Sequence, residues 1–210
     1  AEFRIVKISI LIFLIAGLIL SSGALQASQG ESPYFVDQNE GCFARKSYPC
    51  ALKVLNGNFR IERAGQVYVL DEGTALVLKS ESEIQLLEGQ LWIEKSSSLS
   101  LVVNPHFKPV VSGEFWLKKE NDRLFISNLQ GEFKSIPVGF ENWYSGLNTE
   151  QKVDSGIIQP IAFESFASSW SRIYSGPKAV KLTRLKAYRD QWKNSMSQGT
   201  EFYAKVIERS

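Results

Sequence analysis

Histidine occurs once in these 210 residues, methionine once and cysteine twice. His106, between Pro105 and Phe107, has no sequence neighbour fit to be its nucleophile or orienting group. It reads as a loop residue rather than a general base. Two cysteines and one distant histidine do not make up a structural zinc set. Phosphate-binding glycine loops and nucleophile elbows are missing too, so no catalytic residue, cofactor or metal is assigned. The adjacent acids Asp71 and Glu72, or Glu81 and Glu83, would suit a glycosidase only with their carboxylates set across a cavity. As turn residues they read as solvated. Large charge excess is also lacking, with 24 Lys and Arg against 22 Asp and Glu. That balance provides no basic footprint for general nucleic-acid binding.

What is present begins with an apolar run, Ile8 to Leu20, behind Arg4 and Lys7 and ahead of the small residues Ser21 to Ser28. A basic start, an apolar core and a small-residue exit form the secretory signal pattern. Residues 1–27 are therefore expected to be a signal peptide, or an N-terminal membrane anchor if uncleaved. The run is short for a spanning helix of ~20 apolar residues. The chain opens at Ala1 rather than Met, which leaves room for an upstream segment. Everything beyond Ser28 is expected outside the cytoplasm, in the periplasm or exported. Cys42 and Cys50 fall in that region, within a segment of residues 28–51. An oxidising compartment makes a Cys42–Cys50 disulfide the expected state, the alternatives being a free thiol pair or half a metal site.

Charge is uneven along the chain. Residues 28–170 carry 13 basic and 18 acidic residues, a net of −5, and residues 171–210 carry nine and three, a net of +6. A mildly acidic body thus bears a basic tail.

From residue 52 to 136 the pattern is of short strands with turn residues between them. An apolar-x-Gly-x-apolar-x-apolar unit recurs around Gly57, Gly89, Gly113 and Gly131, more loosely around Gly73. One such strand cannot bury its apolar face alone. The expected fold class is mainly β: a β-solenoid or two-sheet sandwich of short stacked strands, each glycine supplying a turn, followed by a C-terminal helical arm. In order, Ile84-Gln85-Leu86-Leu87-Glu88-Gly89-Gln90-Leu91-Trp92-Ile93-Glu94, an extended stretch with Pro105, Gly113-Glu114-Phe115-Trp116-Leu117 and Leu129-Gln130-Gly131-Glu132-Phe133 resemble FecR-type periplasmic domains. Gly113-Glu114 stands where that family usually has Gly-Thr. The resemblance covers about residues 52–136. It implies a non-catalytic envelope component that relays signals or mediates contacts. The anti-sigma role is not carried over, since no cytoplasmic segment is present in the sequence.

The third residue after each repeat glycine is Arg60, Trp92, Trp116 and Lys134. With Leu91, Ile93, Phe115 and Leu117 facing the core, Trp92 and Trp116 should face outward. There they make a patch for a protein partner or a glycan, unless the connector or the tail covers them. Residues 137–161, rich in Gly and aromatics, read as a connector, and 162–210 as the basic helical arm. The arm comprises a short helix from Phe163 to Tyr174 and a long one beyond Pro177, striped by Leu182, Leu185, Trp192, Met196, Tyr203 and Val206. Trp192, Arg184 and Arg189 extend the candidate interaction surface. The arm is expected to dock on the body, to bind a partner or a second copy, or to lie on an anionic membrane.

The functional expectation is a non-enzymatic exported protein mediating protein–protein interaction or scaffolding in the envelope, with a partner of unknown identity. The rival readings are a membrane-tethered signalling regulator with a cytoplasmic segment upstream, and an enzyme acting on envelope glycans.

Overall fold

The computed structural model describes residues 34–146 and 153–207, with side chains through Ser197. The segment read as signal peptide or anchor lies outside them. The described chain is mainly β. Its strands are β1 (Tyr34–Asp37), β2 (Cys50–Asn56), β3 (Phe59–Arg63), β4 (Gln66–Leu70), β5 (Ala75–Ser80) and β6 (Glu83–Lys95). They continue as β7 (Leu99–Leu101), β8 (Val110–Glu120), β9 (Arg123–Glu132), β10 (Phe140–Ser145), β11 (Asp154–Ser155) and β12 (Gln159–Pro160). A one-turn helix, α1 (Cys42–Arg45), precedes β2; α2 (Phe163–Ile173) and α3 (Lys178–Ile207) close the chain. No helix among the described residues is long and apolar enough to cross a membrane.

The twelve strands form one hydrogen-bonded sheet that does not close into a barrel. It has two leaves. Leaf A runs β1-β2-β5-β6-β7-β8, and leaf B runs β3-β4-β6-β8-β9-β10 with β11 and β12 beyond. All pairings are antiparallel except β6 with β7. Antiparallel hairpins are incompatible with the parallel rungs of a solenoid, so of the two expected architectures the two-sheet one describes the chain. Two-residue turns such as Ala64-Gly65, both at positive φ, join neighbouring strands.

The repeat glycines do not occupy equivalent inter-rung turns. Gly57 turns between β2 and β3, but Gly89, Gly113 and Gly131 lie inside long strands. Gly89 (φ +81°) marks where β6 leaves β5 in leaf A and begins to pair with β8 in leaf B. Gly113 (φ +108°) sits near the matching passage of β8 from β7 to β9, directly opposite Gly131. A strand that changes sheets must bend, and a left-handed residue makes the corner.

One core fills the space between the leaves. Leu52, Val54, Leu76 and Ile84 come from leaf A, and Ile61, Leu91, Ile93 and Phe115 from leaf B, with the Cys42–Cys50 disulfide at its margin. The sequence's connector is not loose: β10 completes leaf B, placing Phe140 and Tyr144 in this core. The disulfide joins α1 to the start of β2. Closing so short a loop is worth about 2.5 kcal/mol in the chain-entropy model. Cys50→Ala is accordingly expected to lower unfolding free energy by about that amount, with wild type in reductant falling to the same level. Equal denaturation midpoints with and without reductant would contradict it.

Candidate functional site

The outer face of leaf B carries the row Val69, Trp92, Trp116, Ser127, Glu141 across β4, β6, β8, β9 and β10. An antiparallel sheet can leave one face to water, but a face bearing two cross-strand indoles cannot do so cheaply. The C-terminal helices cover it. Helix α2 presents Phe166, Trp170 and Ile173, one helical stripe, and α3 adds Leu185, Tyr188 and Trp192. Together with Leu129 these side chains form a second core. Trp92 meets Trp170 edge to face at 5.4 Å, Trp116 meets Phe166 at 5.8 Å, and Phe166 meets Trp192 at 5.0 Å. Trp192 also donates its indole N–H to the Leu129 carbonyl at 3.1 Å.

The expected interaction surface is therefore corrected. Trp92 and Trp116 do face away from the inter-leaf core, yet they are 2% and 5% exposed, and Trp192 is 2% exposed. Alternation in a strand fixes which face a side chain takes, and it says nothing about what covers that face. Arg184 is turned into the seam, where it lies over the Trp92 ring at 5.0 Å. Arg189 stays at the surface, against Glu164 at 3.3 Å and over the Phe163 ring. The helical stripe is also shifted: Leu182 is 58% exposed, and the seam runs through Arg184, Leu185, Tyr188, Trp192 and Met196. Tyr203 and Val206 fall outside the described side chains.

A polar cluster sits in the seam, its Glu114, Tyr188 and Trp92 buried and its Arg184 and Glu94 half-buried. Glu114 Oε1 accepts from Trp92 Nε1 at 2.8 Å, from Arg184 at 3.3 Å and from the Tyr188 hydroxyl. Glu94 reaches Arg184 at 3.5 Å and also pairs with Arg60. Burial drives the Glu114 carboxyl above its ordinary range, against the pull of Tyr188, Arg184 and Trp92, with Glu94 adding to the rise. Burial likewise raises the Tyr188 phenol, reinforced by Glu114. Trp92 and Arg184 are among the sequence candidates, whereas Glu94, Glu114 and Tyr188 are not. The available signal was Glu94 and Glu114, placed two residues from Trp92 and Trp116 on the same face. Two like charges on adjacent strands need a bridging cation, and Arg184 is that cation.

The sign of the Glu114 effect is fixed by its direction. A carboxyl raised on folding favours the folded state most below its unfolded value, near 4.5, and this contribution fades as pH rises through the folded value. Glu114→Gln keeps an acceptor for Tyr188 and Trp92 and removes that titration. Wild type is thus expected to lose stability relative to Glu114→Gln between about pH 4.5 and 7.5. Denaturant titrations at both pH values check it, and parallel pH trends would contradict it.

Other sequence candidates are tied up or solvated. Asp71 accepts from Gln90 at 2.6 Å and pairs with Arg172 of α2, and Glu83 pairs with Lys108 at 2.8 Å. His106 is exposed in the loop between β7 and β8. Asp37, Cys42 and Cys50 bring ligand-type atoms within 4.8 Å of one another, but the two sulfurs are bonded together, so neither is a thiolate. Asp37 instead accepts the N–H groups of Asn39 and Phe43. A small cleft of about 150 Å³ lies between leaf B and α2, lined by Trp116, Phe125, Ser127, Glu141 and Ser165 among others. Neither Glu94 nor Glu114 borders it.

Leaf A differs from leaf B in having an open outer face. Val36, Ala51, Lys53, Leu55, Val77, Lys79, Gln85 and Leu87 point away from the core by strand alternation. Val36, Leu55 and Leu87 are 36%, 45% and 47% exposed. Set against protein-family models, curated proteins and solved structures, the chain matches none.

Proposed function

We propose that this chain is a non-enzymatic envelope protein, exported from the cytoplasm, that works by protein–protein contact through the outer face of leaf A. The observation that carries the reading is the asymmetry of the two leaves. The tryptophan face of leaf B is closed by the chain's own helices, whereas leaf A shows Val36, Leu55 and Leu87 to solvent between lysines. Apolar residues set in a polar rim are how a non-obligate interface is built. The disulfide supports an oxidising location. The resemblance to FecR-type domains supports a contact or relay role, its motifs falling on β6, β8 and β9.

Crosslinking capture from the native envelope tests the reading, with Leu55→Glu/Leu87→Glu as comparison. Both positions are exposed, so the fold should tolerate the change. Wild type is expected to capture a discrete protein that the double variant loses. Equal capture by both proteins, or capture by neither, would refute contact through this face.

A further inference from the structure

We propose that the outward flank of α3 is a docking strip for an anionic lipid bilayer. Lys178, Leu182, Lys186, Arg189 and Lys193 follow one another at intervals of four, four, three and four residues. At 3.6 residues per turn they fall on one line, roughly 22 Å long. All five are exposed. The strip is separate from the face that Arg184, Tyr188 and Trp192 press on leaf B, so docking the helix leaves it free. Lys178, Lys186 and Lys193 enter none of the ion pairs among the described residues, and Arg189 pairs with the surface carboxylate Glu164 alone while its guanidinium lies over the Phe163 ring. Asp190 is the one acid next to the strip in sequence.

Three observations favour a bilayer over an acidic protein. The charges form a straight row instead of a pocket, and long lysine stems reach a plane from such a row. Leu182, 58% exposed, lies in the row near its amino-terminal end, supplying the apolar contact that an interfacial helix adds to its charges. The acidic balance of residues 28–170 opposes approach to an anionic surface by the rest of the body, so the strip sets a single orientation. The surface is distinct from the leaf A face, and the two proposals stand or fall separately.

Vesicle co-sedimentation of the full chain is the test, comparing phosphatidylcholine with vesicles containing about one-third phosphatidylglycerol. Any insertion of the apolar run Ile8–Leu20 contributes to both, so the readout is the ratio of the two affinities. Wild type is expected to prefer the anionic vesicles, and Lys178→Gln/Lys186→Gln/Lys193→Gln to lose about 100-fold of that preference, each lysine being worth about fivefold. High salt should erase the preference, while Leu182→Ser should weaken binding without abolishing it. Unchanged near-ultraviolet dichroism shows that these surface variants remain folded. No anionic preference in wild type, or an undiminished one in the triple variant, would overturn the proposal. So would polyglutamate displacing the protein from vesicles at equal charge concentration, which would assign the strip to an acidic protein.

Discussion

Trp192→Ala is expected to cost about 3–5 kcal/mol of unfolding free energy, the range for truncating a fully buried aromatic, whereas Lys193→Ala next to it should change stability by less than about 0.5 kcal/mol. Trp192 is 2% exposed, stacks near Tyr188 at 5.8 Å and rests against Gly139. A Cβ at Gly139 would come within 2.9 Å of the indole, so that glycine is part of the indole's seat. Lys193 is exposed and makes no ion pair among the described residues. Denaturant unfolding of both variants at low and high salt checks the contrast. Packing predicts that the tryptophan loss persists in salt, because burial is not screened. A loss that followed the lysine and vanished with salt would mean that the helix is held as an electrostatic tether.

Gly113→Ala is expected to be about as damaging, at roughly 3–5 kcal/mol. Two costs combine. The residue sits at φ +108°, where a side chain is strained by ~1–3 kcal/mol. Its new Cβ would also lie 2.6 Å from Gly131 Cα and 2.7 Å from the Gln130 carbonyl oxygen, and overpacking against backbone costs ~1–3 kcal/mol more. Gly65→Ala is the control, with φ +75° and no atom within 4 Å of the added carbon. It should show the conformational cost alone. Thermal melts of both variants give the comparison, and equal losses would mean that the strand corner at Gly113 is not the tight contact described.

Alternation in Leu91, Trp92, Ile93 and in Phe115, Trp116, Leu117 specified strands and put each residue on its true face. The glycines were recognised as special, but their role was not. A left-handed residue between strands and one that bends a strand from one leaf to the next look alike, because pairing partners are not written locally. A short helix from Phe163 to Tyr174 is legible, yet nothing local says that its stripe of Phe166, Trp170 and Ile173 fits the outer tryptophans. Hydrophobicity alone puts Leu182 in the long helix's buried stripe, whereas it is exposed. The burial direction is set by Tyr188 and Trp192, four residues apart, and Tyr188 is no part of the apolar stripe that the sequence shows. The Glu114 cluster joins β6, β8 and α3 across some 90 residues, a convergence that only the fold produces.

The central claim is that α2 and α3 are an integral lid over the outer face of leaf B, and iodide quenching of tryptophan emission tests it most directly. Of the five tryptophans only Trp143, beside Arg123, is partly open to solvent. Trp143→Phe leaves four, Trp92, Trp116, Trp170 and Trp192, none more than 5% exposed. The native variant should emit from a dry environment and resist iodide almost completely, becoming quenchable only through the unfolding transition. Strong quenching of the native variant would contradict the account, because it would place the helices away from the tryptophan face they are held to cover.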